Sequence, residues 1–267
     1  MRVFDFTDAI VRIPGRSVVQ GILHDSSVVP EYGRVLAEHT AYVEALRAAG
    51  LSVEVLPPLE DFPDSVFVED PALVFPNGAI LLRPGTPTRA GEGEHLRPAL
   101  QERFETLLAL PEGLYADGGD VLVVPNGVFI GLSRRTEREG AEELSRLLGQ
   151  LDLPATIVEP PRGSLHLKSA VSIVAEETLL ASAAIAKAGM FRGFEILVPP
   201  PEEDRSAHTL RINDTLFVPA HFPRTADLLA RKGYGVRLLE ATDIRKLDAG
   251  LSCMSLRWSR GFFVDVT

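Results

Sequence analysis

The sequence predicts an α/β protein in which five units of about fifty residues, each ordered ββαβ, close into a ring. Two observations carry this reading. Asp70-Pro71-Ala72-Leu73-Val74-Phe75-Pro76-Asn77-Gly78-Ala79-Ile80-Leu81-Leu82 is echoed by Asp120-Val121-Leu122-Val123-Val124-Pro125-Asn126-Gly127-Val128-Phe129-Ile130-Gly131, with the two Asn-Gly pairs 49 positions apart. Each copy then leads into a helical pattern and a further apolar run.

The elements follow in order. A helix from about Glu31 to Ala49 and a strand over Ser52 to Leu56 supply the parts of a first unit. In the next two units, an apolar run rich in β-branched residues meets Pro-Asn-Gly and resumes. Asn-Gly tolerates positive φ, so each copy reads as a hairpin. Leu96, Leu100, Phe104 and Leu108 recur every fourth residue, predicting a helix after the first hairpin; Leu144, Leu147 and Leu148 share a face after the second. Thr136 and Glu139 have capping-box spacing for that second helix. Ser169 to Leu180 reads as strand, polar turn and strand. Ile212 to Ala220, a helix holding Ala226 and Leu229, and Val236 to Leu239 read as strand, helix and strand. Hairpins favour a ring over an open doubly wound sheet, which needs only parallel crossovers. The alternative is a mixed α+β domain with one accidental echo. The chain is read as a single domain over 1–267.

Composition narrows the function. Hydrophobic residues make up 45% and charged residues 24%, which excludes a disordered or collagen-like chain. A formal charge of −10 disfavours nucleic acid and anionic lipid as partners and attracts small cations. The single cysteine, Cys253, excludes an intrachain disulfide and any zinc site with more than one thiolate. Met1-Arg2-Val3-Phe4-Asp5 lacks the features of a secretory signal, and uncharged stretches such as Pro71 to Leu82 are too short for a membrane helix. The reading is of a cytoplasmic protein.

Dinucleotide, phosphate-loop and nucleophile-elbow signatures are absent, and His24, His39, His95, His166, His208 and His221 show no paired helical spacing. What remains lies at strand ends. Asp64, Glu69 and Asp70 bracket a short apolar run, and Asp117-Gly118-Gly119-Asp120 opens the next repeat. As single residues these read as turn acids; in a ring they project toward the axis. Arg89 and Arg135 stand just beyond the second strand of successive repeats, where two guanidinium groups facing one pocket would clamp a carboxylate. A lone cysteine with a histidine far away in sequence is the arrangement of many thiol enzymes, although each residue alone reads as core.

With these residues in place the chain resembles the dimethylarginine dimethylaminohydrolases, of the pentein group of guanidino-group-modifying enzymes. The resemblance rests on Ile13 to Gly21, Phe67-Val68-Glu69-Asp70-Pro71, Thr88-Arg89, Asp117-Gly118-Gly119-Asp120-Val121-Leu122, Leu165-His166-Leu167-Lys168-Ser169 and Cys253, in the expected order over nearly the whole chain. It implies a five-bladed, pseudosymmetric α/β propeller, the pentein fold. It also implies hydrolysis of Nω-methylated arginine to citrulline and a methylamine, with no cofactor; the residues themselves give no argument for a metal site. Carried over, Cys253 is the nucleophile, His166 the acid and base, and Asp117 its partner. Asp64, Glu69 and Asp70 line the guanidinium pocket, with Asp70 its most direct partner. Arg89 and Arg135 hold the α-carboxylate, Pro14 to Gly21 form a lid, and Ile22 and the backbone near Leu247 meet the α-amino end. The expected partner is a small cationic amino acid, and the reading leans to a homodimer. The rivals are an arginine deiminase or other guanidine hydrolase on the same scaffold, and a binding protein that keeps the ring without turnover. Arginine deiminases are usually longer, with an inserted helical region not found here.

Overall fold

The computed structural model describes residues 2–260, apart from 24, 26 and 162–164; His24 therefore lies outside the described residues. In chain order the elements are β1 (Asp8–Arg12), α1 (Tyr32–Ala48), β2 (Ser52–Leu56), β3 (Ala72–Phe75), β4 (Gly78–Leu81), α2 (Arg97–Arg103), β5 (Leu107–Ala109), β6 (Val121–Val124), β7 (Gly127–Gly131), α3 (Arg138–Gly149) and β8 (Ala155–Val158). They continue with β9 (Val171–Ala175), β10 (Thr178–Ala181), α4 (Ala183–Ala188), β11 (Glu195–Leu197), β12 (Leu210–Ile212), β13 (Thr215–Pro219), α5 (Pro223–Arg231), β14 (Gly235–Leu239) and β15 (Leu256–Trp258).

These strands form five three-stranded sheets of one design. A hairpin pairs two strands antiparallel, as in β3 and β4 with Ala72 opposite Leu81; a helix then returns the chain so that a third strand lies parallel to the second, as in β4 and β5. One sheet is assembled from both ends of the chain. In it β15 is antiparallel to β1, with Asp8 opposite Trp258, and β2 is parallel to β1. The C-terminal strand thus completes the first unit and closes the ring. Chemical character follows position within each sheet. The middle strands β1, β4 and β10 are wholly buried, whereas the first strand of every unit, including β9 with its partly exposed last residue Ala175, keeps a partly exposed residue in its interior: Val74, Val123, Ile173, Arg211 and Arg257. All five face one cavity of about 640 Å³, the channel at the centre of the ring.

Local expectations hold in part. The helix and strand of the first unit fall where the pattern places them, and Glu31 caps α1 by accepting from the Gly33 N–H. Leu144, Leu147 and Leu148 of α3 are buried together with Ala141. Four readings change. Phe75 pairs with Gly78, so the turn residues are Pro76 and Asn77, and Asn77 and Asn126 do not take positive φ. Proline at the first turn position supplies the bend instead. The helix of the second unit ends at Arg103, and Leu108 lies in β5, partly buried beside Ile80 of the parallel strand. Thr136 does not cap α3, whose N-cap is Glu137, because its hydroxyl is spent elsewhere. The fifth unit also has a hairpin, since β12 pairs with β13; three residues are too few for a visible alternation.

Candidate active site

The stretch just before the first strand of each unit delivers polar side chains to the centre. Glu69 and Asp70 precede β3, Asp117 precedes β6, His166 precedes β9, His208 precedes β12 and Cys253 precedes β15. Because successive units repeat, Asp117 and His166 occupy equivalent places 49 residues apart, and so do Asp70 and Gly119. The close approach explains the paired glycines of the 117–120 motif. A Cβ on Gly118 would fall 1.9 Å from the Glu69 carbonyl oxygen, and one on Gly119 would lie 2.5 Å from His166 Nδ1. Only glycine admits backbone and imidazole there.

His166 Nε2 lies 2.9 Å from Asp117 Oδ2, both groups being buried. The other Asp117 oxygen accepts from the Gly85 N–H at 2.7 Å, which fixes the carboxylate. Burial opposes the imidazolium, but Asp70, the bond to Asp117 and the charge of Asp120 outweigh it and raise His166 to about 9. Asp120 itself is structural. It accepts from the Leu167 N–H and from Ser133 and Thr136 Oγ1, the latter at 2.7 Å, so Thr136 serves this carboxylate rather than a helix end. Asp70, Asp117 and His166 offer ligand atoms within 4.8 Å of one another, close enough for a metal ion. Their bonds describe a hydrogen-bonded acid instead: both Asp117 oxygens have donors, and Asp70 accepts from the Gly119 N–H and from Arg89.

Cys253 is buried in the turn 252–254, and its carbonyl accepts from the Glu69 N–H at 3.1 Å. Burial pushes its thiol up to about 12, and the charges of Asp70 and Glu69 add to the effect. The resting thiol is therefore protonated at neutral pH. Burial also raises Asp64, whose Oδ1 accepts from the Ile22 N–H at 3.0 Å. Gly21 packs between Asp64 and Leu247, so the expected substrate-facing positions Ile22, Asp64 and Leu247 do converge. The loop ahead of them forms a short 3-10 helix over Arg16–Gln20, held by Glu60, which accepts from the Arg16 and Ser17 N–H groups at 2.9 Å.

Two expected substrate contacts are otherwise engaged. Glu69 accepts from Lys168 at 2.7 Å, Arg257 at 2.6 Å and Ser252 Oγ at 2.9 Å, so it anchors its neighbours rather than standing open to a guanidinium. Arg89 is buried; it bonds Asp70, Glu92 at 2.6 Å and the carbonyls of Phe67 and Asp64. With four of its five N–H groups in use, it cannot make a bidentate carboxylate clamp in this arrangement. Its charge instead holds Asp70 below the usual carboxylate range in spite of burial. Arg135 is different. It is half-buried, has no ion pair among the described residues, and lies near enough to Asp64 to favour that carboxylate's charge.

The sequence reading missed His208 and Ser252. His208 Nε2 lies 2.8 Å from Ser252 Oγ and 4.0 Å from Cys253 Sγ. Its signal was positional: it stands two residues before β12, as Asp70 stands two before β3. That register is invisible until β12 is recognised.

A thiol, an imidazole paired with a carboxylate and a set of buried acids at the centre of a propeller define a site for covalent chemistry on a cation. Comparison with known proteins agrees. A family model described as N,N dimethylarginine dimethylhydrolase, eukaryotic, matches residues 25–190. The N(G),N(G)-dimethylarginine dimethylaminohydrolase of Pseudomonas aeruginosa is 36% identical over 254 residues, spanning 95% of this chain and 100% of that one. A mutant of the Pseudomonas aeruginosa enzyme solved with citrulline superposes with a TM-score of 0.91 at 35% identity, covering 95% of this chain and 100% of that one. A dimethylarginine dimethylaminohydrolase solved as an adduct with S-methyl-L-thiocitrulline gives the same TM-score, with coverage of 94% and 99%. The chain belongs to the dimethylarginine dimethylaminohydrolase family, and its ring is the pentein fold.

Proposed function

We propose that the protein hydrolyses Nω-methylated arginine to citrulline and dimethylamine or methylamine through a covalent intermediate on Cys253. The observation that carries this reading is His166 held 2.9 Å from Asp117 and close to Asp70, in the same cluster of turns as the buried Cys253; acidic neighbours favour the imidazolium, and burial favours the neutral thiol. A guanidinium resting against Asp70 offsets the negative charge that opposes ionisation, so binding favours loss of the Cys253 proton to solvent. Sγ then attacks the guanidinium carbon. His166 gives its proton to the departing amine as the C–N bond breaks, leaving a thiouronium. The neutral imidazole next takes a proton from water, the resulting oxygen nucleophile adds to the same carbon, and the C–S bond breaks to release citrulline.

In this reading Arg135 is the carboxylate anchor, with Arg89 holding Asp70 for the guanidinium. Citrulline in one related structure and a thiocitrulline adduct in another support a small amino-acid ligand of this length and a covalent route. The test is citrulline formation from asymmetric dimethylarginine and from arginine, side by side, with wild type and Cys253→Ser. Selective turnover of the methylated substrate, lost in the variant, is the expected result. Comparable efficiency on arginine transfers the protein to the deiminases, and turnover that survives Cys253→Ser removes the nucleophile.

A further inference from the structure

Five turns feed the centre of the ring, and the chemistry above uses four of them. The fifth brings His208, which lines both the central channel and a second cavity of about 940 Å³ that His166 also lines. Its hydrogen-bonding state follows from its neighbours. Glu69 is ionised despite burial, because Lys168 and Arg257 both bond it. Ser252 has one hydroxyl hydrogen and donates it to Glu69 Oε2 at 2.9 Å. At 2.8 Å from His208 Nε2, Ser252 Oγ is then limited to accepting, which places the imidazole hydrogen on Nε2. Burial keeps the ring neutral, pulling it down to about 4, with Lys168 and His166 reinforcing this and Glu69 and Asp70 opposing it. The opposite edge is wedged: a Cβ on Gly250 would sit 2.4 Å from His208 Nδ1.

We propose that His208 is a positioning residue for the nucleophile, a neutral imidazole whose single Nε2–H, kept on that nitrogen by Glu69 through Ser252 and given to Ser252 Oγ in the resting protein, turns to the Cys253 thiolate formed when the cationic substrate binds and orients it. The inference rests on the reading of Cys253 as nucleophile. A hydrogen on Nε2 bars His208 from accepting the Cys253 proton, so the two histidines divide the work: His166 moves protons and His208 holds the sulfur. The charged groups around Sγ are Asp70 and Glu69, which oppose the thiolate, and Lys168, which favours it. An uncharged donor adds support without competing with the substrate for Asp70. The 4.0 Å separation suits a thiol at rest and shortens when the sulfur becomes an anion.

The test compares His208→Leu, His208→Gln and Ser252→Ala by kcat, KM and the pH dependence of Cys253 alkylation by 2-chloroacetamidine, read by mass spectrometry. His208→Leu is expected to lower kcat and neutral-pH alkylation about tenfold or more, to shift the alkylation profile to higher pH, and to leave KM within about twofold. His208→Gln, which keeps an N–H, recovers most of both; Ser252→Ala, which frees the tautomer, falls between. A folded His208→Leu protein with wild-type kcat and alkylation profile overturns the proposal, as does a loss confined to KM or a Gln variant no better than Leu. If His208→Leu does not fold, wild-type alkylation profiles in both other variants overturn it. Alkylation reads the sulfur without turnover. A His208-dependent profile in a protein that does not hydrolyse methylarginine therefore sustains this inference and removes only the substrate assignment, whereas turnover without any Cys253 alkylation removes both.

Discussion

His166 carries its proton at neutral pH because three carboxylates face it, and the nearest, Asp117, is pinned by the Gly85 N–H so that its charge cannot turn away. Replacing Asp117 with Asn removes one charge and one charge-assisted bond, so the His166 pKa falls from about 9 toward 6.5. The leaving-group acid is then lost at lower pH. The alkaline limb of kcat against pH moves down, and kcat at pH 8 drops on the order of a hundredfold; an unmoved limb would show that another group sets it. Arg89 presents the complementary case. Asp70 and Glu92 are buried against its guanidinium, so Arg89→Met leaves two acids in the interior without their cation. A loss of about 3–5 kcal/mol in urea unfolding is expected, more than any surface ion pair contributes.

At the level of the element, α3 and the turn before β6 share Thr136, and its partners decide what it stabilises. Its hydroxyl donates to Asp120 and accepts from the Asp117 N–H, fastening the loop that carries the His166 partner. Thr136→Val leaves a buried carboxylate short of one donor and a backbone N–H unpaired, at a cost of about 1–3 kcal/mol in chemical denaturation. Glu139, the exposed partner of a capping box that does not form, is expected to tolerate Gln with a change under about 0.5 kcal/mol. Equal effects of the two substitutions would restore the capping role.

For the whole molecule, histidines of two kinds set the stability against pH. His39, His208 and His221 are held near 4 by burial. Between pH 4 and 6.5 the unfolded chain binds more protons than the folded one, so their contribution is lost as pH falls through that range. His166 acts in the opposite sense: with a folded value of about 9 against an ordinary 6.5, its stabilisation is complete below 6.5 and lost as pH rises toward 9. Thermal midpoints across pH 4.5 to 9 are therefore expected to peak near 6.5. In His166→Gln the alkaline decline flattens and the acid limb stays; a wild-type peak at pH 8 or above would contradict the assignment.

The sequence by itself determined whatever depends on a short window of chain. The repeated hairpins, the helix that begins at Tyr32, the strand at Ser52–Leu56 and the buried face of α3 follow from alternation, helical period and turn residues, each legible over a dozen positions or fewer. Asp117, His166 and Cys253 were expected as a set from the sequence only through the resemblance that their motifs carry to the dimethylarginine dimethylaminohydrolases. Only the tertiary structure decided which residues meet across the ring. The pairing of β15 with β1, the saturation of Glu69 and the approach of His208 to Cys253 join segments from different units or opposite ends of the chain, and within one unit the commitment of Arg89 to Asp70 and Glu92 depends on how its loops fold back on each other. A local pattern records which face of a strand or helix is apolar. It holds no record of the partner a buried charge will find, because that partner is set by how the five units close on one axis.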